Sequence, residues 1–284
     1  MKLVLLSLCC CLGALSALGA VIKPYEHPEL NYHERIGFPL AEALKKAELA
    51  SDFDGGRIIS GSQAALGAYP YMAGLIMTMQ NGRDSVGGGT LISNTRVLTA
   101  AHNLRIEPEL VRHVTVVLGS VRIFSGGTRI VSNRMELHAN YNPRNLHNDI
   151  AIITINRVNY SNNIRNIALA SGSNTYAGVW AWAAGFGKTR DASAASPNLM
   201  HVRVQVITND ACRAAFSNSN SVIASTLCIS GATGNICTGD SGGPLVANNR
   251  LIGVTSFGSG QCEARRPSGF ARVSSFNSWI RARM

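Results

Sequence analysis

The chain has 284 residues, a length that allows one or two domains. Its formal net charge of +10 could by itself indicate a protein that binds polyanions. The arginines are scattered singly, however, with only Arg265 and Arg266 adjacent and without interleaved aromatic residues, so the sequence argues against a nucleic-acid-binding protein.

Residues 1–20 have the features of a secretory signal peptide. Lys2 is followed by an apolar run from Leu3 to Leu18 and by small residues through Ala20. We expect cleavage between Ser16 and Ala20. The run is short for a membrane span and no later segment compensates for it, so the sequence predicts a secreted protein with no membrane partner.

Residues 21–57 differ in composition from the rest of the chain. They contain seven of its sixteen acidic residues and end at Arg57, and Pro39 to Ala50 is a candidate short helix. One interpretation is a linker; the interpretation that we favour is a pro-segment removed by cleavage after Arg57. The segment contains no cysteine, so no disulfide bond would retain it after cleavage.

Residues 58–284 have the pattern of an all-β domain. Short aliphatic runs separated by Gly, Asn and Ser recur, for example at residues 114–118 and 251–254. Helices are scarce by pattern, with one candidate near Thr208 and another at the C-terminus, where Phe276, Trp279 and Ile280 recur at helical spacing. We find no internal repeat.

Ser241 lies in the stretch Cys-Thr-Gly-Asp-Ser-Gly-Gly-Pro that starts at Cys237. A serine hydroxyl becomes a useful nucleophile when a base lies against it and donors await the oxyanion that it creates. Glycine at Gly239 would let a backbone N–H approach that oxyanion closely. The stretch also satisfies the G-x-S-x-G pattern of α/β-hydrolases, whose acid and histidine follow the serine. All seven histidines here precede Ser241, which excludes that class.

Two earlier segments supply candidate partners for this serine. His102 follows the apolar strand Val-Leu-Thr and two alanines, and Asp149 leads an aliphatic run. A buried aspartate beside an imidazole would hold its tautomer and stabilise the imidazolium that forms. Each segment also has an ordinary interpretation, as a polar histidine or as a turn aspartate. The order His102, Asp149, Ser241 favours a catalytic triad.

With these residues the chain resembles the chymotrypsin-like (trypsin-fold) serine peptidase family. The matching blocks are Thr-Ala-Ala-His ending at His102, Asn-Asp-Ile-Ala at Asp149 and Gly-Asp-Ser-Gly-Gly-Pro at Ser241. Further matches lie at residues 57–61, 185–187, 256–258 and 267–273. The resemblance covers about residues 58–284. It implies two packed six-stranded antiparallel β-barrels with the active site in the cleft between them.

The resemblance also implies roles for the matched residues. Ser241 would be the nucleophile, His102 its general base and Asp149 the partner of that base, with the N–H groups of Gly239 and Ser241 holding the oxyanion. No metal or organic cofactor would be required. An activating trypsin-like protease would cut between Arg57 and Ile58, and the new amine would insert beside Asp240.

Four cysteines remain once the signal peptide is removed, and they allow three pairings. No C-x-x-C spacing occurs, which argues against a metal site. By motif position the resemblance implies the disulfide bonds Cys212–Cys228 and Cys237–Cys262, the second of which would brace the specificity pocket.

Two bridges common in the family are missing as pairs. The bridge around the catalytic histidine would join positions that here hold Gly87 and Asn103, and a second bridge would join Ala181 and Ala247. The first loss predicts a more mobile loop around His102. Each missing bridge forgoes about 2–4 kcal/mol of stabilisation.

The family's primary specificity pocket maps to Asn235 at its base, to Gly258 and Ser268 on its walls, and to Ser256 in the matching block before Gly258. A neutral base disfavours cleavage after Arg or Lys, because burying an unpaired cation is costly. Gly258 would leave the mouth open to Phe, Tyr, Leu or Met. We therefore expect a chymotrypsin-like preference, with elastase-like or broad collagenolytic specificity as the alternative.

Charge composition suggests where the protein works. From residue 58 onward there is one lysine, Lys188, and there are nineteen arginines. Lysine loses its charge near pH 10.4, whereas arginine stays charged, so the pattern fits an alkaline compartment. It resembles that of the digestive chymotrypsin-like proteases of insect larvae, although compositional drift is an alternative. The expected partners are protein or peptide substrates, the activating protease and protein protease inhibitors. We expect a monomer.

A second functional class is a non-catalytic protease homologue that acts as a binding protein. Such proteins usually lack a triad residue, whereas His102, Asp149 and Ser241 are all present. The missing bridge near His102 is the feature that favours this alternative.

Overall fold

The computed structural model describes residues 31–50, 61–106, 109–192, 196–216 and 220–284. The predicted signal peptide and the predicted cleavage site at Arg57 and Ile58 lie outside the described residues. Within them, no helix is both long enough and apolar enough to cross a membrane.

The described residues form many short strands and few helices. The strands are β1 (Gly61–Gln63), β2 (Met72–Thr78), β3 (Asp84–Ser93), β4 (Arg96–Thr99), β5 (Arg105–Ile106), β6 (Glu109–Leu110), β7 (His113–Leu118), β8 (Thr128–Ser132), β9 (Met135–Leu137), β10 (Ala151–Thr154), β11 (Ala168–Leu169), β12 (Trp180–Gly185), β13 (Met200–Ile207), β14 (Thr226–Ile229), β15 (Pro244–Ala247), β16 (Arg250–Phe257) and β17 (Ser268–Arg272). The helices are α1 (Phe38–Leu49), α2 (Asn209–Ala215) and α3 (Asn277–Arg281), with a π-helical turn at His33–Gly37 and 3₁₀ turns at Ala101–Leu104, Cys262–Ala264 and Val273–Phe276.

Two large sheets carry the fold. The first has the antiparallel order β8-β7-β2-β3-β4-β10-β9 and forms an open half-barrel. The second has the order β1-β13-β12-β15-β16-β17-β14, and its strand β14 also pairs with β13. That extra pairing closes six of its strands into a barrel. The all-β architecture of two barrel-like sheets is therefore confirmed, with the first sheet an open half-barrel of seven strands and the second a closed barrel of six.

Alternating side chains fill the inside of each sheet. Along β13 the valines Val202, Val204 and Val206 are buried, while the residues between them reach towards solvent, as expected for a strand with one face on a core. One apolar cluster fills the first sheet. The other fills the second barrel and also includes Leu98 and Ile152 of the first sheet. The two units therefore share an apolar interface, and the strands β4 and β10 that lead to His102 and follow Asp149 lie against it.

The predicted helices are found. The Oγ1 of Thr208 accepts a hydrogen bond from the N–H of Ala211 and caps the start of α2. Residues 273–281 form the C-terminal helical segment. Helix α1 matches the candidate helix from Pro39 to Ala50 to within one residue at each end, with proline in its first turn, where an N–H is not needed.

Both predicted disulfide bonds are present, joining Cys212 to Cys228 and Cys237 to Cys262. The first links α2 to β14, and the second links the segment before Ser241 to the 3₁₀ turn at Cys262–Ala264. The second bond therefore braces the neighbourhood of the predicted specificity pocket.

Candidate active site

His102 and Asp149 meet where the two sheets pack together. Strands β4 and β10 pair so that Thr99 lies opposite Ala151, which brings the residues just beyond their ends into contact. The Nδ1 of His102 lies 2.7 Å from Oδ2 of Asp149, and the backbone N–H of His102 donates to Oδ1 at 2.9 Å. Both side chains are almost fully buried. This pairing fixes the imidazole with Nδ1 towards the carboxylate.

A tight turn presents Asp149 to the histidine. Asn148 has a φ of +55°, a left-handed conformation that asparagine tolerates better than most residues. The N–H of Ile150 then donates to the carbonyl of Asn148 at 2.8 Å, so Asp149 is the central residue of a three-residue turn. The sequence identified Asp149 by its position before an aliphatic run, and the turn explains that position.

Ser256 provides a further donor to Asp149. Its hydroxyl donates to Oδ2 at 2.6 Å and the residue is buried. The sequence predicts that Ser256 contributes to the substrate pocket, and that role stays a prediction. Its side chain instead helps to hold the carboxylate, a contact between residues 107 positions apart that sequence position alone does not reveal.

Ser241 comes from the second barrel and is fastened to the first sheet. Its carbonyl oxygen accepts hydrogen bonds from the N–H of Gly88, at 2.8 Å, and from the Nδ2 of Asn103, at 2.9 Å. Asn103 is the neighbour of His102 in the chain. The three predicted catalytic residues are therefore brought to one place at the interface of the two sheets.

Asn103 occupies the space of the missing bridge near His102. A Cβ placed on Gly87 would lie 2.9 Å from Nδ2 of Asn103, so the two positions are in contact, as bridge partners would be. Asn103 is fully buried, and its Nδ2 also donates to Oγ1 of Thr99. The amide thus ties the histidine loop to the serine loop without a disulfide. The greater mobility of this loop stays a prediction.

The second missing bridge also maps to adjacent positions. Strands β12 and β15 are paired with Trp182 opposite Val246. Ala181 and Ala247 are the next residues outward along that ladder, and both are buried. Two small apolar side chains therefore take the positions of the missing bridge.

Two glycines give the serine loop its shape. Gly239 has a φ of +103° and Gly242 a φ of +80°, conformations that a residue with a Cβ rarely adopts. The N–H of Gly243 closes the turn by donating to the carbonyl of Asp240 at 2.9 Å. The stretch that reads as a motif in the sequence is thus a tight loop around Ser241.

Asp240 points away from Ser241 into the protein. Its Oδ1 accepts from the N–H of Gly187 and its Oδ2 from the N–H of Cys237, both at 2.9 Å. Desolvation nevertheless raises the pKa of this carboxyl to about 6. The two hydrogen bonds favour the ionised form of the carboxyl, but their effect on its pKa is smaller than that of the desolvation.

Asn235, Ser268 and Gly258 form the predicted pocket. The hydroxyl of Ser268 donates to Oδ1 of Asn235 at 2.7 Å, and Nδ2 of Asn235 donates to the carbonyl of Arg266 at 3.0 Å. A Cβ on Gly258 would lie 3.4 Å from Oγ of Ser268. Asn235, the predicted base of the pocket, is therefore a neutral residue hydrogen-bonded to its neighbours. The carboxylate of Glu263 accepts a hydrogen bond from the N–H of Asp191.

Among the described residues, one group places three atoms of metal-ligating types near one another: a carboxylate oxygen of Asp191 and the sulfurs of Cys237 and Cys262. The two sulfurs are joined in a disulfide bond, so they are not the thiolates that bind metal ions. The carboxylate of Asp191 accepts instead from the N–H groups of Cys262 and Glu263.

The sequence analysis missed one aromatic neighbour of the site. Tyr32, which precedes α1, lies with its ring centroid 4.9 Å from that of His102. It is nearly fully buried. Nothing in its local sequence indicates this contact, since 70 residues separate the two side chains.

Comparison with known proteins agrees with this geometry. A family model described as Trypsin matches residues 58–280. The chain is 39% identical to a collagenase of Hypoderma lineatum, covering 79% of this chain and 86% of that protein. It is 35% identical to alkaline trypsin B of Manduca sexta, over 79% and 90%. The solved structure of HL collagenase superposes with a TM-score of 0.73 at 38% identity, over 80% of this chain and 98% of the other.

We predict that Gly87 and Asn103 are energetically coupled. Gly87→Ala should destabilise the protein by about 1–3 kcal/mol, because the added methyl overlaps the Asn103 amide. In an Asn103→Ala background, the same change should cost less than half as much, since the space is then empty. Urea unfolding of the four proteins in this double-mutant cycle measures the coupling. Equal costs in both backgrounds would contradict the contact.

We also predict a pH-dependent contribution from Asp240. The pKa of this carboxyl is about 6 in the folded intact chain, against an ordinary value of 3.8 when unfolded. The folded state therefore holds the proton more tightly, and stability is lost as the pH rises from 4 to 6.5. Relative to Asp240→Asn, the intact wild-type chain should lose about 1–3 kcal/mol over this range. A difference in unfolding free energy that stays constant with pH would rule this out.

Proposed function

Because the chain belongs to the trypsin family of serine endopeptidases, we propose that His102, Asp149 and Ser241 are its catalytic triad. The observation that carries this assignment is the buried 2.7 Å contact between Nδ1 of His102 and Oδ2 of Asp149. It leaves Nε2 as the nitrogen that can accept a proton from a nucleophile. The fastening of Ser241 beside Asn103 supports it as that nucleophile.

In the proposed mechanism His102 removes the proton of the Ser241 hydroxyl as the oxygen attacks the peptide carbonyl. Asp149, with hydrogen bonds from His102 and Ser256, stabilises the imidazolium that forms. His102 then protonates the leaving amine, and an acyl-enzyme remains on Ser241. Water, activated by the same imidazole, hydrolyses the acyl-enzyme and restores the serine.

The N–H groups of Gly239 and Ser241 are the proposed donors to the oxyanion. The positive φ of Gly239 turns the backbone in a way that a residue with a side chain would resist. Donors of this kind contribute about 3–4 kcal/mol each to the transition state. The protein's own backbone thus supplies the electrostatic part of catalysis.

We propose that the protein is made as a zymogen activated by cleavage between Arg57 and Ile58. A free amine at Ile58 would place a cation beside the carboxylate of Asp240. Since Asp240 directly precedes Ser241, that ion pair would also order the loop carrying the oxyanion donors. The raised pKa of Asp240 in the intact chain supports this role.

We propose a preference for large apolar side chains at the primary pocket. Asn235 at the base is neutral and already hydrogen-bonded to Ser268 and Arg266, so an incoming Arg or Lys would meet no negative charge. The likeness to a collagenase and the hydroxyl of Ser268 near Gly258 favour elastase-like or collagenolytic cleavage as the second candidate.

An extracellular location is supported by the family and by the two disulfide bonds, which persist in oxidising compartments. We further propose a digestive role in an alkaline gut lumen. The expected partners are dietary proteins or peptides, a trypsin-like activating protease and protein inhibitors, with the enzyme acting as a monomer. The non-catalytic homologue is disfavoured because the three triad residues are present and brought together.

We predict that the chain, once cleaved after Arg57, hydrolyses Suc-Ala-Ala-Pro-Phe chromogenic peptide. It should cleave Phe, Leu and Met peptides faster than Arg peptides by about 100-fold, since a buried cation would be unpaired. Ser241→Ala should lower kcat by about 10⁴-fold or more. A preference for Ala or Val would select the elastase-like alternative. No turnover on Phe, Leu, Ala and Arg peptides would select the non-catalytic homologue.

We predict that activity persists in alkaline solution. Arginine keeps its charge above pH 11, whereas lysine loses it near that pH. The nineteen arginines from residue 58 onward should therefore keep the enzyme charged, soluble and folded in alkaline solution. Initial rates measured from pH 7 to about 11 should stay high at pH 9–10. An optimum near pH 7 with a sharp loss above pH 9 would rule out the alkaline-gut proposal.

A further inference from the structure

Residues 31–50 lie outside the part of the chain that the family model matches, which begins at residue 58. One face of this segment is nevertheless buried against the rest of the protein. Tyr32, Phe38 and Leu44 are among the largest fully buried side chains of the described residues. Helix α1 lies against β3, which carries Gly88. A linker or a simple activation peptide would not need this burial.

The start of this segment covers the proposed catalytic residues. The ring of Tyr32 lies on that of His102, and its hydroxyl donates to the carbonyl of Val86 at 2.7 Å. His102 is only 3% exposed and Ser241 only 6%. With Tyr32 against the imidazole, the approach of a polypeptide substrate to His102 is hindered.

Two apolar side chains of the segment border the places where a substrate would be held. Ile36 lines the same cavity as Asn235, Gly258 and Ser241. Leu40 lies against Gly239, since a Cβ on Gly239 would lie 2.2 Å from Cδ2 of Leu40. The segment thus forms part of the wall of the proposed specificity pocket and lies against the proposed oxyanion donor Gly239.

The segment binds as a helix, which keeps its own peptide bonds from being cut. Residues 33–37 form a π-helical turn, and the N–H of Phe38 donates to the carbonyl of His33. The carbonyl of Asn31 likewise accepts from the N–H of Arg35 at 3.1 Å. A scissile carbonyl must be free to receive the oxyanion donors. The carbonyls of Asn31 and His33 already accept hydrogen bonds from within the segment.

Polar contacts hold the far end of the segment on the first sheet. Glu48 accepts from the N–H groups of Ile123 and Phe124, both at 2.9 Å, and from the hydroxyl of Ser125 at 2.7 Å. Lys45 forms a 2.7 Å ion pair with Asp84. Three hydrogen bonds to one carboxylate fix the position of α1 along the cleft.

We propose that residues 31–50 form an inhibitory helix that blocks the active-site cleft of the intact chain and still binds the mature enzyme after cleavage at Arg57. The proposal rests on the proposed function. Cleavage would therefore not release full activity at once. Because no disulfide bond would hold the cleaved segment, the fraction of enzyme that still has it bound would depend on the protein concentration. The free segment is a peptide inhibitor of the enzyme from which it came.

Dilution after cleavage tests this inference on the full chain. The folded chain is cleaved with trypsin, which is then blocked, and activity on the Phe peptide is measured from 10 µM to 1 nM protein. Specific activity should rise at least about tenfold on dilution, because the segment dissociates as the concentration falls below its Kd. Leu40→Asp, which places a charge at a buried contact, should be fully active at every concentration.

Leu49→Asp is the matched control, because Leu49 lies on the same helix but is 84% exposed. It should behave as wild type. A synthetic peptide of residues 31–50 should bind the purified cleaved enzyme, measured by fluorescence anisotropy, and should raise KM without changing kcat. Its Leu40→Asp version should bind at least about tenfold more weakly.

Constant specific activity together with no binding of the 31–50 peptide would overturn the inhibitory segment while leaving the protease function intact. Equal effects of Leu40→Asp and Leu49→Asp on specific activity would overturn the proposed position of the helix, with Leu40 against the cleft. Because anisotropy does not need turnover, the peptide arm gives an answer even if the cleaved chain proves inactive, an outcome that would count against the proposed function instead.

Discussion

The close contact between β3 and the loop of Ser241 is the constraint on which the site depends. Gly88 donates to the carbonyl of Ser241, and a Cβ on Gly88 would lie 2.8 Å from Cα of Gly243. Only glycine allows the two backbones to come so near. This contact brings a serine from one barrel to the histidine and aspartate of the other, and Asn103 reinforces it from beside His102.

Much of the fold could be predicted because the signals are local. The alternating strands, the Thr208 cap and the helix at residues 38–49 depend on nearby residues. The triad prediction depends on chain order, since histidines that all precede Ser241 exclude the α/β-hydrolase order. The disulfide pairs came from the resemblance rather than from spacing, and the structure contains both.

The contacts that sequence reasoning missed are long-range. Ser256 holds Asp149 across 107 positions, and Asn103 holds Ser241 across 138. The placement of residues 31–50 was missed for the same reason. An acidic segment with a short helix is compatible with a linker, and its apolar face gives no indication of which surface it covers. The contacts of Tyr32, Ile36 and Leu40 with the cleft are visible in the folded structure but not in the sequence.

The central claim is that Ser241 becomes a nucleophile through His102 and Asp149. Reaction with a fluorophosphonate that modifies activated serine hydroxyls tests it most directly, with mass spectrometry to locate the adduct. The account predicts one adduct, on Ser241, in the cleaved wild-type chain and none in the cleaved Asp149→Asn variant on the same timescale. An adduct on another residue, or equal labelling of the two proteins, would contradict it.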